Sequence, residues 1–321
     1  MGRDEETVLG LVLVGGVLYY GYKTGIIDQF IEAIGGLLDG AANGLSNIGG
    51  ITIGGNTTGG STTGGNTNTG SGITFAAAGD WGSGRNSNWQ KVIAVIKSKN
   101  PKAVLVVGDQ SYTNPSAFKP VTDAIKAMGA KALGSDGNHD GSGYASNFDA
   151  YSNSVTNIGN VSFMSLNSNS TSSAITYAKT NLSKMTNAWK VVFFHHPAYT
   201  VKSDHGATMG GIHDVIKGKV DLVISGHNHN YQRFSPIDGV TYIVTGLGGE
   251  SPYGIGANSS GNPPLAKAYN SKFGASIFTT GSNSISGSFI NVDGQVIDSF
   301  TISKSSAKPA FAQQASIYRV I

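Results

Sequence analysis

Five short apolar runs in this sequence each end in a cluster of polar residues, and this arrangement restricts the fold more than any other feature. The runs have the length of buried β-strands, and the clusters are rich in Gly, Asp, Asn and His. The clusters are Gly79-Asp80-Trp81-Gly82, Gly108-Asp109-Gln110-Ser111-Tyr112, Gly137-Asn138-His139-Asp140, His195-His196-Pro197 and Gly226-His227-Asn228-His229. Because the carboxyl ends of strands in an α/β sheet converge on a ligand crevice, we expect the clusters to meet in space.

The residues between the runs predict an α/β protein with layered sheets. Apolar residues recur at helical spacing between residues 89 and 96, and similar patterns separate several of the other runs. After Ser276 the pattern changes to strands around an Asp293-Gly294 turn, which predicts a terminal β-hairpin. We therefore place one globular domain at residues 73–304.

The N-terminal residues differ in composition from this domain. Residues 8–22 are apolar and uncharged, and a second apolar stretch at helical spacing extends to residue 38. A helix over residues 8–22 would be about 22 Å long, whereas the hydrocarbon core of a bilayer is roughly 30 Å thick. A helix extended to Ile27 reaches that thickness, but it includes Lys23, whose charged end would have to snorkel to the membrane surface.

We interpret residues 1–48 as a hydrophobic, amphipathic helical segment that associates with a membrane through residues 8–38, as an anchor or a hairpin. A helix that packs against partner subunits and a processed leader are the alternatives. The anchor predicts that the domain at residues 73–304 is extracytoplasmic or displayed on a surface. Residues 49–72 are dominated by Gly, Thr, Ser and Asn, which predicts a flexible linker, and residues 305–321 form a C-terminal extension.

Composition narrows the possible partners and metal ligands. A net charge of +3 without a basic cluster gives no reason to expect a nucleic-acid partner. The chain has no Cys, which excludes disulfides and thiolate ligands. Any metal must therefore be held by His, carboxylate, Tyr or Asn. The oligomeric state stays open.

The last cluster points to metal binding. His227 and His229 are two residues apart, so in an extended segment both rings face one side and can reach two adjacent metal ions. A carboxylate such as Asp109 can bridge such a pair. Two cations need several anionic ligands, which Asp80 and a Tyr112 phenolate would add.

In this order the five clusters resemble the motifs of the metallophosphoesterase superfamily and, within it, those of the purple acid phosphatases. Tyr112, three residues after Asp109, is the feature most typical of purple acid phosphatases. The resemblance covers residues 73–304 and implies a four-layer αββα sandwich. One departure follows the last cluster, where Gln232 stands in place of the Glu of many members.

The resemblance implies a binuclear metal centre. The first ion would be bound by Asp80, Asp109, Tyr112 and His229. The second ion would be bound by Asp109, Asn138, His195 and His227. A phenolate suits Fe(III) in the first site, and imidazole with amide oxygen suits Zn(II), Mn(II) or Fe(II) in the second.

The same resemblance implies that His139 and His205 are active-site histidines that bind no metal. An imidazolium can neutralise phosphate oxygens and protonate a leaving group. The implied activity is an acid phosphatase that hydrolyses monoesters of a phosphorylated small molecule or protein with hydroxide generated at the metals. The alternatives are a phosphodiesterase or nucleotidase on the same scaffold, or a membrane- or virion-displayed structural protein that carries this domain.

Four residues near the motifs have simpler interpretations. We interpret His196 as a residue that lies behind the ligands or at the rim and is not itself a ligand, and His213 as a structural residue in a helical pattern. Arg85 is interpreted as a solvated loop residue, although it could touch a substrate phosphate. Trp81 is expected to pack in the core.

Overall fold

The computed structural model describes residues 9–14, 17–22, 70–201 and 209–304, with side chains for the last two ranges. The chain divides into two compact units, residues 1–64 and 65–321. The helices of the second unit are α1 Asn88–Lys97, α2 Pro115–Ala127, α3 Thr171–Asn181 and α4 His213–Ile216, with short 3₁₀ helices at Ala145–Asn147, Leu182–Lys184 and Gly210–Ile212.

The first unit contains two described strands, β1 Leu9–Val14 and β2 Val17–Tyr22, which pair antiparallel. The expected helix over residues 8–22 is therefore wrong for these residues. Val, Leu and Tyr dominate both segments, and β-branched and aromatic residues favour strands. The sequence Gly15-Gly16 between them is a common two-residue hairpin connection.

The remaining expectations for the N-terminal region fall on residues that the structure does not describe. These are the second apolar stretch up to residue 38 and residues 49–69 of the linker. The C-terminal extension at residues 305–321 also lies outside the described residues. Within the described ranges, no helix is long and apolar enough to cross a membrane.

Two seven-stranded sheets form the second unit. In chain order the strands are β3 Thr74–Ala78, β4 Ala103–Val107, β5 Lys131–Ser135, β6 Ala150–Tyr151, β7 Ser154–Ile158, β8 Val161–Ser165, β9 Trp189–Phe193, β10 Leu222–Ser225, β11 Tyr231–Phe234, β12 Thr241–Thr245, β13 Leu265–Tyr269, β14 Gly274–Thr280, β15 Ser284–Asn291 and β16 Val296–Ser303. One sheet has the order β16-β15-β14-β3-β4-β5-β6 and the other β13-β11-β12-β10-β9-β8-β7.

The middle strands of both sheets run parallel, whereas most outer strands are antiparallel. Strands β3, β4 and β5 are parallel neighbours in the first sheet. Strands β8, β9, β10 and β12 are parallel neighbours in the second. Because parallel strands end at the same edge, the polar residues after β3, β4 and β5 share one edge, and those after β9 and β10 share another.

The side chains of each central strand alternate between two hydrophobic cores. In β3, Phe75 and Ala77 belong to a core built from both sheets, whereas Ala76 and Ala78 face α1 and α2. A third core packs the second sheet against α3 and α4. The layers are therefore helix, sheet, sheet, helix, the arrangement that the resemblance implies.

The terminal hairpin predicted after Ser276 is confirmed. Strands β15 and β16 pair antiparallel, with Ser284 opposite Ser303. Gly294 in the connecting turn has φ of +81°, a left-handed conformation that glycine adopts without steric cost. Strand β14 joins this hairpin to β3 by antiparallel pairing.

Candidate metal centre

The strand ends of the two sheets meet, and backbone hydrogen bonds tie them together. The amide of Asp80 donates to the carbonyl of Gly108 at 3.1 Å, linking the segments that follow β3 and β4. The amide of Gly226 donates to the carbonyl of His195 at 3.0 Å, linking the segments that follow β10 and β9. Across the two sheets, the amide of His227 donates to Asp80 Oδ2 at 2.9 Å.

Asp109 lies at the centre of the assembled side chains. Its Oδ2 accepts a hydrogen bond from Tyr112 Oη at 3.2 Å, and its Oδ1 lies 3.3 Å from His195 Nε2. The amide of His139 also donates to Oδ1, at 2.9 Å. The two carboxylate oxygens of this buried residue therefore face different groups of side chains.

The first group surrounds Tyr112. Tyr112 Oη lies 3.0 Å from His229 Nε2, and His229 Nε2 lies 3.3 Å from Asp80 Oδ1. Asp80, Asp109 and His229 offer donor atoms that all lie within 4.8 Å of one another.

The second group surrounds His195. Its Nε2 lies 3.1 Å from Asn138 Oδ1 and 3.2 Å from His227 Nδ1. His196 also offers a nitrogen within 4.8 Å of nitrogens of His195 and His227, so it lies directly beside this group. The structure thus brings together all seven residues predicted as ligands, while their binding of metal stays a prediction.

Two of the imidazoles are held by hydrogen bonds on the side away from the cluster. His195 Nδ1 lies 2.9 Å from the carbonyl oxygen of Val107, and His229 Nδ1 lies 2.8 Å from that of Ser251. Each Nδ1 must donate to its carbonyl, which fixes the ring orientation and leaves Nε2 facing the cluster. Such carbonyl partners are typical of metal-binding histidines.

Three of the seven residues have unusual backbone conformations. Asp80, Asp109 and His227 have φ of +59°, +48° and +71°. Positive φ is uncommon outside glycine and is a source of strain that concentrates at functional sites. This strain supports a functional role for the cluster.

Neighbouring glycines allow the close approach of these segments. A Cβ added to Gly137 would lie 2.1 Å from Asp109 Oδ1. A Cβ added to Gly108 would lie 2.4 Å from His195 Nδ1. Any side chain at either position would displace the central carboxylate or its histidine partner.

The charges of the cluster couple its two central groups. Burial alone would raise the pKa of Asp109, but His195 and the His139 amide hold it well below its usual value. Burial alone would lower the pKa of His195, but Asp109 raises it well above its usual value. Without a metal, His195 is therefore an imidazolium paired with the Asp109 carboxylate.

The surroundings of Tyr112 act against ionisation of its phenol. Burial and the negative charges of Asp80, Asp109 and Glu250 raise its pKa, so the phenolate needs a nearby cation to form. Asp80 Oδ1 is buried and accepts no hydrogen bond from any described residue. Carboxylate, phenol and imidazole donors of this kind fit hard or borderline metal ions.

Of the two predicted non-ligand histidines, only His139 can be placed. Its ring is exposed and lies 4.4 Å from the ring of Tyr112, centroid to centroid. His205 lies outside the described residues.

The structure also tests the other interpretations of single residues. His213 is structural as predicted, since its Nδ1 lies 2.7 Å from Tyr242 Oη and its Nε2 lies 3.1 Å from Asp238 Oδ2. Trp81 is fully buried, as expected. Arg85 differs from a simple solvated residue, because its guanidinium lies 4.7 Å from the ring centroid of Tyr112.

Several residues that position the cluster were not singled out from the sequence. The half-buried carboxyl of Asp140 accepts from the amides of Gln110 and Gly137 at 2.9 Å and 2.7 Å, and desolvation followed by the charge of Asp109 raises its pKa to about 7. Ser168 Oγ lies 2.9 Å from His196 Nδ1. Ser168 closely follows an apolar run, the same signal that identified the other clusters.

The loop after β12 also supports the cluster. The ring of Tyr253 stacks on the ring of His229, and the Ser251 carbonyl accepts from the same imidazole. A contact to a backbone carbonyl cannot be predicted from the residue type, because every residue has a carbonyl. The contacts of Tyr253 and Ser251 with His229 are therefore seen only in the structure.

Comparisons with known proteins agree with this geometry. The sequence profile of the calcineurin-like phosphoesterase family, Metallophos, matches residues 73–231. A comparison of the sequence with curated proteins gives no significant match.

Solved structures share the fold at low sequence identity. One is GAP50, the anchor in the inner membrane complex of Plasmodium, at 18% identity and a TM-score of 0.56, covering 73% of this chain and 89% of that chain. Another is a dimetal phosphatase from Danio rerio, at 11% identity and a TM-score of 0.50, covering 73% of this chain and 99% of that chain. The family profile spans all five polar clusters, and residues 73–231 of this chain form a calcineurin-like phosphoesterase domain.

Proposed function

We propose that this domain is a two-metal acid phosphatase that hydrolyses phosphate monoesters. The position of Asp109 carries the proposal. One of its oxygens lies 3.2 Å from Tyr112 Oη and the other lies 3.3 Å from His195 Nε2, so a single carboxylate can serve two ions. The membership of the family supports phosphoester hydrolysis, and Tyr112 supports the purple acid phosphatase branch.

The donor groups divide between the two ions as the resemblance implies. The first ion, Fe(III), would be held by Asp80, Asp109, Tyr112 and His229. The second ion, Zn(II), Mn(II) or Fe(II), would be held by Asp109, Asn138, His195 and His227. When bound, the ions polarise the phosphoryl oxygens and lower the pKa of a coordinated water.

The protein side chains would bind and orient the substrate around this centre. His139 has an exposed ring beside Tyr112, so as an imidazolium it can contact a phosphate oxygen or protonate the leaving oxygen. Its amide is fixed on Asp109 Oδ1, which sets its position relative to the central carboxylate. His205 is proposed for the same task.

The test is hydrolysis of an aryl phosphate monoester by the full chain loaded with iron plus zinc, with metal content measured on the same sample. Turnover that disappears after chelation and returns with the metals would support the proposal. A bis-aryl phosphate diester is assayed in parallel. Faster turnover of the diester would replace the monoesterase with a phosphodiesterase, and no turnover of either ester with both metals bound would refute both.

We also propose that residues 8–38 attach this domain to a membrane, with the domain extracytoplasmic or displayed on a surface. The support is the apolar, uncharged composition of β1 and β2. The full chain should then float with liposomes in a density gradient, whereas a chain that begins at Gly72 should stay at the bottom. Flotation of neither chain, together with formation of large particles by the full chain alone, would favour an assembly role instead.

A further inference from the structure

Arginine is scarce in this protein, and one of its few arginines lies beside the candidate metal centre. The chain has 22 Lys and Arg residues, of which only Arg3, Arg85, Arg233 and Arg319 are Arg. Arg differs from Lys in presenting a planar set of five N–H donors that match carboxylate and phosphate groups. Within residues 73–304, only Arg85 and Arg233 offer this geometry.

The two arginines differ in how their donors are used. Arg233 is paired with Asp298 through Nε at 2.7 Å and Nη2 at 3.1 Å, and its side chain is 17% exposed. Arg85 is 52% exposed, and its Nη1 lies 3.9 Å from Glu250 Oε2, beyond hydrogen-bond distance. The Arg85 guanidinium thus donates no hydrogen bond to another residue of the described chain.

The loop that carries Arg85 is fixed at several points, although its guanidinium faces solvent. The Arg85 amide donates to the carbonyl of Gly82 at 3.0 Å. Ser111 Oγ donates to the carbonyl of Ser83 at 2.8 Å, and Asn86 Nδ2 donates to that of Gly249 at 3.1 Å. The loop is therefore attached to the segment of Tyr112 and to the loop after β12.

The guanidinium stands over the ring of Tyr112, 4.7 Å from the ring centroid. The hydroxyl of the same tyrosine touches Asp109 and His229. Arg85 therefore contacts the face of the ring, whereas the hydroxyl at the edge of the ring contacts the donor atoms around Asp109. When one anionic group of a ligand occupies the site around Asp109, the guanidinium is available to a second anionic group of the same ligand.

We infer that Arg85 binds a second anionic group of the substrate, so that the site selects phosphate esters whose leaving group carries a phosphate or carboxylate. This inference rests on the proposed function. It changes the interpretation of Arg85 from a solvated loop residue to a specificity-determining residue.

The test measures binding, which does not require turnover. The full chain loaded with iron plus zinc is titrated calorimetrically with phosphonoacetate, which carries a phosphonate and a carboxylate, and with methylphosphonate, which lacks the carboxylate. Neither compound contains a phosphate ester bond, so hydrolysis of an ester does not interfere with the titration. Metal content is measured before and after each titration.

Arg85→Met should weaken phosphonoacetate binding about 10-fold or more, the factor expected for a lost charge-assisted pair, and change methylphosphonate binding by less than about 2-fold. Arg85→Lys keeps the charge without the planar donor pair and should give an intermediate loss. Lys91→Met removes the same charge from an exposed position on α1 and should leave both affinities unchanged.

Two outcomes would overturn the inference. Equal weakening of both compounds would place Arg85 on the transferred phosphoryl group, and no weakening of either would limit it to packing on Tyr112. Failure of the proposed function has a different signature, since the unmodified chain would then turn over neither ester, or would turn over the diester faster than the monoester, even when the Arg85→Met effect on phosphonoacetate is present.

Discussion

The phenol ring of Tyr253 lies flat against the imidazole of His229, with ring centroids 3.9 Å apart and planes 13° from parallel. The amide of Tyr253 donates to the carbonyl of His229 at 2.8 Å, and His229 Nδ1 lies 2.8 Å from the carbonyl oxygen of Ser251. The loop after β12 therefore fixes both the plane and the tautomer of this histidine. Its Nε2 is aimed at Tyr112 Oη and Asp80 Oδ1 as a result.

We expect Tyr253→Leu to weaken metal binding about 10- to 100-fold, the range for residues that orient a metal ligand, because His229 loses its stacking partner. Competition with a chromogenic chelator measures the affinity. Tyr253→Phe retains the stacked ring and should stay close to the unmodified protein. Equal losses of metal affinity in both variants would mean that metal binding depends on the Tyr253 hydroxyl and not on the stacked ring.

Asp109→Asn should lower phosphatase activity at least about 100-fold and reduce the bound metal, because an amide offers a single uncharged oxygen to the two groups that share this carboxylate. Elemental analysis and turnover of an aryl phosphate are measured on one sample. Asp123→Asn makes the same chemical change on the exposed face of α2 and serves as the control. Near-normal metal content and activity in Asp109→Asn would remove the basis of the two-metal proposal.

Tyr112→Phe should abolish the visible absorption of the iron-loaded protein, because the phenolate-to-Fe(III) band that colours the purple acid phosphatases needs this oxygen. An absorption spectrum of protein with verified iron content is sufficient. Tyr177→Phe, on α3, removes a phenol from another part of the domain and should leave the band in place. An unchanged spectrum in Tyr112→Phe would show that Tyr112 is not a ligand.

Metal binding should release protons and become tighter as the pH rises. In the metal-free protein, Asp109 raises the pKa of His195 and Asp80 raises that of His229, in both cases against the effect of burial. His195 therefore holds a proton at neutral pH that a cation must displace, and the raised pKa of His229 moves its proton release to higher pH, so affinity increases until the pH passes the raised pKa values. Calorimetry of zinc binding in two buffers of different ionisation enthalpy counts the protons. Binding without proton release and without pH dependence would contradict the described charge states.

Phe75→Ala should lower the free energy of unfolding by about 3–5 kcal/mol, the usual cost of removing a buried phenylalanine. The ring is fully buried between the sheets, stacked on Phe278 at 4.8 Å and edge-on to Phe163 at 5.1 Å between centroids. Thermal unfolding followed by circular dichroism measures the loss. Val296→Ala, at a position that is 61% exposed, should change stability by less than about 0.5 kcal/mol.

The core of the fold was predictable because its signals are local. Ala103–Val107 is a continuous apolar run, and such runs form strands that are buried on both faces. Polar residues directly after such a run must lie at the strand end, so the strand pattern alone assigned Asp80, Asp109 and Asn138 to one region of the molecule. The turn at Asp293-Gly294 was equally local.

The expected helix over residues 8–22 was wrong because the sequence pattern there was ambiguous. An apolar run over residues 8–22 fits a helix and a strand pair equally well by hydrophobicity alone. The sequence Gly15-Gly16 between two segments rich in Val, Leu and Tyr was the feature that favoured strands.

By itself, the sequence determined which residue types stand at which strand ends, since apolar runs and the turns beside them depend on neighbouring residues only. The tertiary structure decided which atoms meet. The His227 amide reaches Asp80 Oδ2 from 147 residues away, and the partner of His229 is a backbone carbonyl that any residue type at position 251 would provide. The same holds for Arg85, whose place over Tyr112 follows from how two loops pack together. Contacts of this kind depend on the packing of two sheets, and no local pattern encodes them.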